Sequence, residues 1–180
     1  MRIVFPLILS SALLLIGCVP QSADPAPLPV PVRPPASPPP PPLAPVTDNW
    51  QDVPVTPGGW AWRADARGSV AMFGVAGADA QFVARCDLAA RRIYLSRPGL
   101  SAAGQEAIMA ITTSAGTGSY RAQSTGGTPP YIAAQTSATD PFLDKMAFSR
   151  GRFVVATTGL TRLVIPAWPE FGRVIEDCRK

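Results

Sequence analysis

The stretch that decides the fold is Trp168-Pro169-Glu170-Phe171-Gly172-Arg173-Val174-Ile175-Glu176-Asp177-Cys178. Its apolar residues fall at 171, 174, 175 and 178, the i, i+3, i+4, i+7 spacing of one helix face. Pro169 suits the first helical position, where its missing N–H is no loss, and Glu170 stands where the helix dipole favours an anion. The spacing predicts a C-terminal helix with Cys178 on its buried side, beside Phe171 and Val174. A second cysteine lies in Ala80-Gln81-Phe82-Val83-Ala84-Arg85-Cys86-Asp87, where Phe82, Ala84 and Cys86 share one face of a strand. Two sulfurs that both face the core predict a Cys86–Cys178 disulfide. It would close a loop of about 90 residues and stabilise by about 4 to 5 kcal/mol through lost unfolded-chain entropy.

Working outward from these two elements, strands are predicted at 60–65, 69–74, 80–86, 91–96, 107–113, 132–136, 152–158 and 161–165. Turn residues separate them, among them Ala66-Arg67-Gly68, Gly77-Ala78-Asp79 and Thr158-Gly159-Leu160. In the fourth strand Tyr94 interrupts the alternation of apolar and polar residues. A short helix is expected over 141–149, where Phe142, Met146 and Ser149 share a side. Asp140 serves as its N-cap and Pro141 occupies its first position. Many short strands and few helices predict a mainly β fold: a small antiparallel sandwich or barrel with a C-terminal helix. A ferredoxin-like arrangement would need more helix than the pattern supplies.

Upstream of Thr47 the composition changes. Of the 22 prolines in this 180-residue chain, 13 fall within residues 20–45, including the run Pro38-Pro39-Pro40-Pro41-Pro42. Proline fixes φ and removes the backbone donor, so this segment is expected to be a disordered tether with polyproline II bias. At about 3.1 Å per residue it would reach roughly 80 Å when extended. The expected organisation is 1–17 as a leader, 18–46 as linker, and 47–180 as one β-rich domain.

The leader begins Met1-Arg2, continues as an apolar run, and ends Leu15-Ile16-Gly17-Cys18. The run is shorter than the roughly 20 residues that cross a bilayer. A positive start, an apolar core and a small residue before the break are the parts of a secretory signal. Leu15 to Cys18 resemble the lipobox of bacterial lipoproteins. The resemblance implies cleavage before Cys18, a diacylglyceryl thioether on its sulfur, and acylation (palmitate or a similar chain) of the new amino terminus. Val19, where an Asp would retain such a protein in the inner membrane, implies the outer membrane with the domain facing the periplasm. An oxidising compartment also suits the remaining cysteine pair.

The chain contains no histidine, which excludes Ser-His-Asp and Cys-His centres and His-containing zinc sites. No metal ligand set, cofactor motif or catalytic residue is assigned. Lys145 and Ser149 have dyad spacing but read as a solvated helix face. Asp140 and Asp144 share a helix face with a capping role for Asp140. Glu176 and Asp177 have Arg173 and Arg179 nearby for pairing. The loop Ser124-Thr125-Gly126-Gly127-Thr128-Pro129-Pro130-Tyr131 lacks the lysine of a phosphate-binding loop and reads as a hairpin connection. Trp60 and Trp62, two apart, face one side of a strand, as core rather than a stacking surface. Arg85, Arg91, Arg92, Arg97 and Arg121 form a candidate basic face towards anionic lipid or polysaccharide. A net charge of +3 over the domain is too small to suggest nucleic acid.

The closing runs Leu163-Val164-Ile165-Pro166-Ala167-Trp168-Pro169-Glu170 and Val174-Ile175-Glu176-Asp177-Cys178-Arg179 give the chain a resemblance to small envelope lipoproteins of alphaproteobacteria. That resemblance implies an envelope location and no particular activity. The expected function is a non-enzymatic binding or scaffolding module tethered to the membrane, with an envelope protein or polysaccharide as partner. The alternatives are a periplasmic inhibitor of lysozyme or protease, and a cell-wall hydrolase.

Overall fold

The structure, a computed structural model, describes residues 49–101 and 105–180. The expected leader, Cys18 and the proline-rich tether lie outside the described residues. Nine strands form one sheet: β1 (Gly59–Asp65), β2 (Gly68–Gly74), β3 (Phe82–Asp87), β4 (Arg92–Pro98), β5 (Ala107–Thr113), β6 (Gly116–Ser124), β7 (Tyr131–Ser137), β8 (Arg152–Thr157) and β9 (Leu163–Pro166). Helix α1 (Pro141–Ala147) joins β7 to β8, and α2 (Pro169–Arg179) ends the chain. The spatial order is β1-β2-β3-β4-β7-β6-β5-β8-β9, with every neighbouring pair antiparallel. The fold is mainly β with a C-terminal helix, as the pattern predicts. Its sheet is a single curled half-barrel rather than two stacked sheets.

Alternation decides which side is dry. Phe82, Ala84 and Cys86 of β3, Ile93 and Leu95 of β4, Met109 and Ile111 of β5, and Phe153 and Val155 of β8 are all buried in one core. Helix α2 adds Phe171, Val174, Ile175 and Cys178 to the same core, the face its sequence spacing marks. At the centre Trp60, Phe73, Phe82, Phe153 and Phe171 pack with neighbouring ring centroids 5.5 to 6.2 Å apart. Each such side chain contributes about 1.5–3 kcal/mol when removed from water. Phe171 packs against both Trp60 of the end strand β1 and Phe153 of the penultimate strand β8, so one helical residue links opposite sides of the sheet.

The sheet's margins are tied in a second way. The Trp60 indole N–H donates to the Pro166 carbonyl of β9 at 2.8 Å. The segment leading into β1 covers the open edge of β9: Thr56 N–H donates to the Val164 carbonyl, and Val164 N–H donates to the Thr56 hydroxyl. An uncovered edge would be a template for pairing with another chain. The same segment sets Trp50 and Val53 against Val154 and Val164 on the outer side, a small second core.

Cys86 and Cys178 are joined by a disulfide with Cα atoms 5.4 Å apart, across a separation of 92 residues. Gly68 makes room for it. Its φ is +141°, and a Cβ there would lie 3.0 Å from the Cys86 carbonyl oxygen and 3.1 Å from the Cys86 sulfur. The C-terminus of α2 is also tied down. Arg91 donates to the Lys180 and Arg179 carbonyls, and Arg179 donates to the Ala138 carbonyl and, bidentately, to Asp144. The two Arg91 bonds satisfy carbonyls that a helix end leaves without intrahelical donors.

Strand β6 has no counterpart among the predicted strands. Its sequence, Gly116-Thr117-Gly118-Ser119-Tyr120-Arg121-Ala122-Gln123-Ser124, is polar and glycine-rich, with no apolar alternation to betray it. It is a strand because β5 and β7 flank it with ready partners, and because Gly118 leaves space for the Phe142 ring. A Cβ at 118 would come within 2.9 Å of that ring.

Candidate functional site

A cleft of about 680 Å³ runs along the outward face of α2. Trp62 of β1 lines it, as do Phe148 after α1, Trp168 before α2, and Glu170, Arg173 and Glu176 on the helix. Pro169 starts the helix without a capping side chain, and Trp168, at the N-cap position, is 45% exposed. Phe148, at the C-cap of α1, is 80% exposed. Two large aromatic faces in water beside one cleft call for an explanation, because aromatics normally supply core burial.

The polar groups of this cleft are only partly committed to one another. The Arg173 guanidinium stacks on Trp62, 3.4 Å from the ring centroid, and makes no ion pair among the described residues. Glu170 and Glu176 likewise have no ion-pair partner among the described residues. The Glu170 Oε2 and the Trp62 indole N–H are buried and unpaired. A buried polar atom without a partner typically costs about 1–3 kcal/mol. Lys180 and Asp177, at the far end, pair at 2.9 Å. The cleft thus offers exposed aromatic faces, one uncommitted guanidinium and two uncommitted carboxylates.

The outer face of the sheet carries the second concave region. Two adjoining hollows of about 460 and 500 Å³ share Tyr94, Thr125 and Ala133. Tyr94 interrupts the sequence alternation because it points away from the core, in register with Arg85 of β3 and Gln135 of β7. Here every guanidinium is taken. Arg85 pairs with Asp65 at 2.7 Å, Arg67 with Asp87 at 2.8 Å and Arg121 with Glu106 at 2.9 Å. The Arg85 hydrogen bond to Asp65 holds that carboxyl below the ordinary carboxylate range, and Arg67 does the same for Asp87. Such exposed pairs add little stability, but they leave few free charges for a ligand.

Of the basic face expected from Arg85, Arg91, Arg92, Arg97 and Arg121, Arg92 stays exposed without an ion pair among the described residues, and the other four are committed elsewhere. Arg91 is spent on the C-terminal carbonyls, and Arg85 and Arg121 are neutralised by Asp65 and Glu106. Arg97 follows Ile93 and Leu95 inward and is only 5% exposed, so the alternation of β4 removes it from the surface. Its guanidinium donates to the Thr161 carbonyl at 2.7 Å, and burial pulls its pKa down to about 10.

The other sequence-level candidates have structural work. Ser149 is not beside a lysine: its hydroxyl donates to the Arg152 carbonyl and accepts from Ser114 N–H, while the Lys145 ammonium lies over the Phe142 ring. Asp140 caps α1 through Phe142 N–H and also accepts from Thr136 and Tyr120. Burial pushes its carboxyl up, but these hydrogen bonds and the Arg179 charge outweigh that and hold it below the ordinary value of 3.8. Arg179 pairs with Asp144 rather than with Glu176 or Asp177. The 125–130 loop joins β6 to β7 as a hairpin connection. Trp60 is core; Trp62 shares its side, packs against the core and borders the cleft. Among the described residues no group of three His, Cys, Asp or Glu side chains gathers to hold a metal, and no helix is long and apolar enough to cross a membrane.

Nothing in the sequence marks Phe148 and Glu170 as part of a binding surface. Trp168 beside Pro169 carried the one usable signal, a large aromatic placed where a helix usually has a small polar cap. Compared with protein-family models, curated proteins and solved structures, the chain matches none.

Proposed function

We propose that this chain is a cell-envelope lipoprotein whose folded domain is a non-enzymatic binding module, with the outward face of α2 as its contact surface. The observation that carries the reading is the cleft itself: exposed Trp168 and Phe148 stand around Arg173, Glu170 and Glu176, none of which makes an ion pair among the described residues. Such a combination of apolar faces and a few convergent polar groups is what small-ligand sites offer.

The mounting follows from the N-terminal sequence. Acyl chains on Cys18 anchor the chain, since each buried methylene contributes about 0.8 kcal/mol and two or more chains hold stably. The proline-rich tether gives the domain a reach of roughly 80 Å from the bilayer. The Cys86–Cys178 disulfide suits the oxidising periplasm, and Val19 after Cys18 favours the outer membrane. The test is cell fractionation of the Cys18→Ala variant combined with crosslinking in intact cells. Release of the variant into the soluble fraction, with an envelope component crosslinked to the wild type, is the expected result. A Cys18→Ala variant that still sediments with membranes would overturn the lipid anchor.

A further inference from the structure

We infer that the cleft along α2 binds an uncharged saccharide, seated against Trp168 and Phe148 and hydrogen-bonded by Arg173, Glu170 and Glu176. This rests on the reading of the domain as an envelope binding module and names the chemistry of its ligand.

Charge balance narrows the choice. A cationic ligand would meet Arg173 and Lys180, and an anionic one would meet Glu170, Glu176 and Asp177, all on the same cleft wall. The wall carries three carboxylates and two cations, so a ligand of either sign meets like charge, while donors and acceptors are both present. The hydroxyls of a sugar are donors and acceptors at once, so one ring can donate hydrogen bonds to carboxylates and accept them from a guanidinium. A pyranose also carries a patch of C–H groups on its face, which suits an aromatic ring, while its edge is polar. Trp168 and Phe148, 45% and 80% exposed as residues, supply such rings. The unpaired Glu170 Oε2 and Trp62 N–H show that the domain leaves hydrogen-bonding capacity unmet at this wall. The outer-face hollows differ on this point, because their guanidinia are already paired with Asp65, Asp87 and Glu106.

The test is isothermal titration calorimetry of the full chain in detergent with soluble β-1,4-linked N-acetylglucosamine oligomers and, in parallel, α-1,4-linked glucose oligomers. Saturable binding of either sugar is expected, weakened by at least about tenfold in Trp168→Ala, a change that adding up lost contacts at one exposed ring makes reasonable. Trp168→Ala should keep the thermal midpoint of the wild type, since the ring supports no core. Affinity should also be nearly constant between low and high salt, because screening weakens charged ligands and leaves uncharged ones alone. No saturation with either sugar, equal affinity in Trp168→Ala, or a steep loss with salt would each overturn the inference. Sugar binding that fails while Cys18→Ala still releases the protein from membranes removes the ligand alone. Sugar binding that succeeds while Cys18→Ala stays with membranes removes the anchor and leaves the site.

Discussion

Helix α2 has two faces built on opposite rules. The inner face, Phe171, Val174, Ile175 and Cys178, is no more than 2% exposed and is fastened to the sheet by packing and by a covalent bond. The outer face carries Glu170, Arg173 and Glu176, which make no ion pairs among the described residues, and is flanked by exposed Trp168 and Phe148. One face removes degrees of freedom from the domain; the other keeps its polar groups available. The difference teaches that the helix is a wall as well as a plug. Its inner face holds the half-barrel closed so that its outer face presents a fixed surface.

Breaking the inner face should have the largest effect. Replacing both cysteines, Cys86→Ala with Cys178→Ala, releases a 92-residue loop and should cost about 4 kcal/mol, read as a fall in the denaturant midpoint. Reduction of the wild type should give the same shift, which separates loss of the bond from loss of the sulfur atoms. A variant as stable as the wild type would mean that packing of Phe171 alone holds the helix in place.

The next effect belongs to the seam between α1 and the sheet, which sets where Phe148 stands. Asp140→Ala removes the N-cap and the acceptor of Tyr120 and Thr136 together, and should cost about 2 kcal/mol. Because the Asp140 carboxyl is held below its ordinary value in the folded state, its contribution is present above that ordinary value. It is lost as pH falls below about 4 and through the folded pKa. The stability of the wild type should therefore drop over that range more steeply than that of Asp140→Asn. Parallel curves would show that Asp140 gains nothing from its charge.

The inner face was legible in sequence and the outer face was not, for a physical reason. Burial imposes periodicity: Phe171, Val174, Ile175 and Cys178 repeat with the helix, and Phe82, Ala84 and Cys86 with the strand, so the disulfide and most of the sheet could be read directly. A surface that keeps polar groups uncommitted imposes no period. Glu170 and Glu176 look like any solvated helix positions, and nothing in one sequence tells a paired arginine such as Arg85 from a stacked one such as Arg173. Strand β6 failed for a related reason. Its place depends on partners supplied by β5 and β7, and Gly118 is explained only by the Phe142 ring above it. Arg97 shows the opposite error, a charge read as surface where the period of β4 turned it inward.

The smallest predicted effect tests whether the outer face is free of structural duty. Arg173→Ala removes the guanidinium stacked 3.4 Å over Trp62 and should cost about 0.5 to 1 kcal/mol, the range of an exposed cation–π contact. The substitution leaves Phe171, Val174, Ile175 and the disulfide in place, so the urea midpoint should move only slightly. It uncovers the Trp62 ring, and tryptophan emission should shift towards longer wavelength in the folded state. A loss of several kcal/mol would mean that Arg173 braces β1 against α2, and that the two faces of the helix share one structural role. A small loss with a clear spectral shift places Arg173 as a cover over an aromatic wall of the cleft, held there by stacking and available for a ligand.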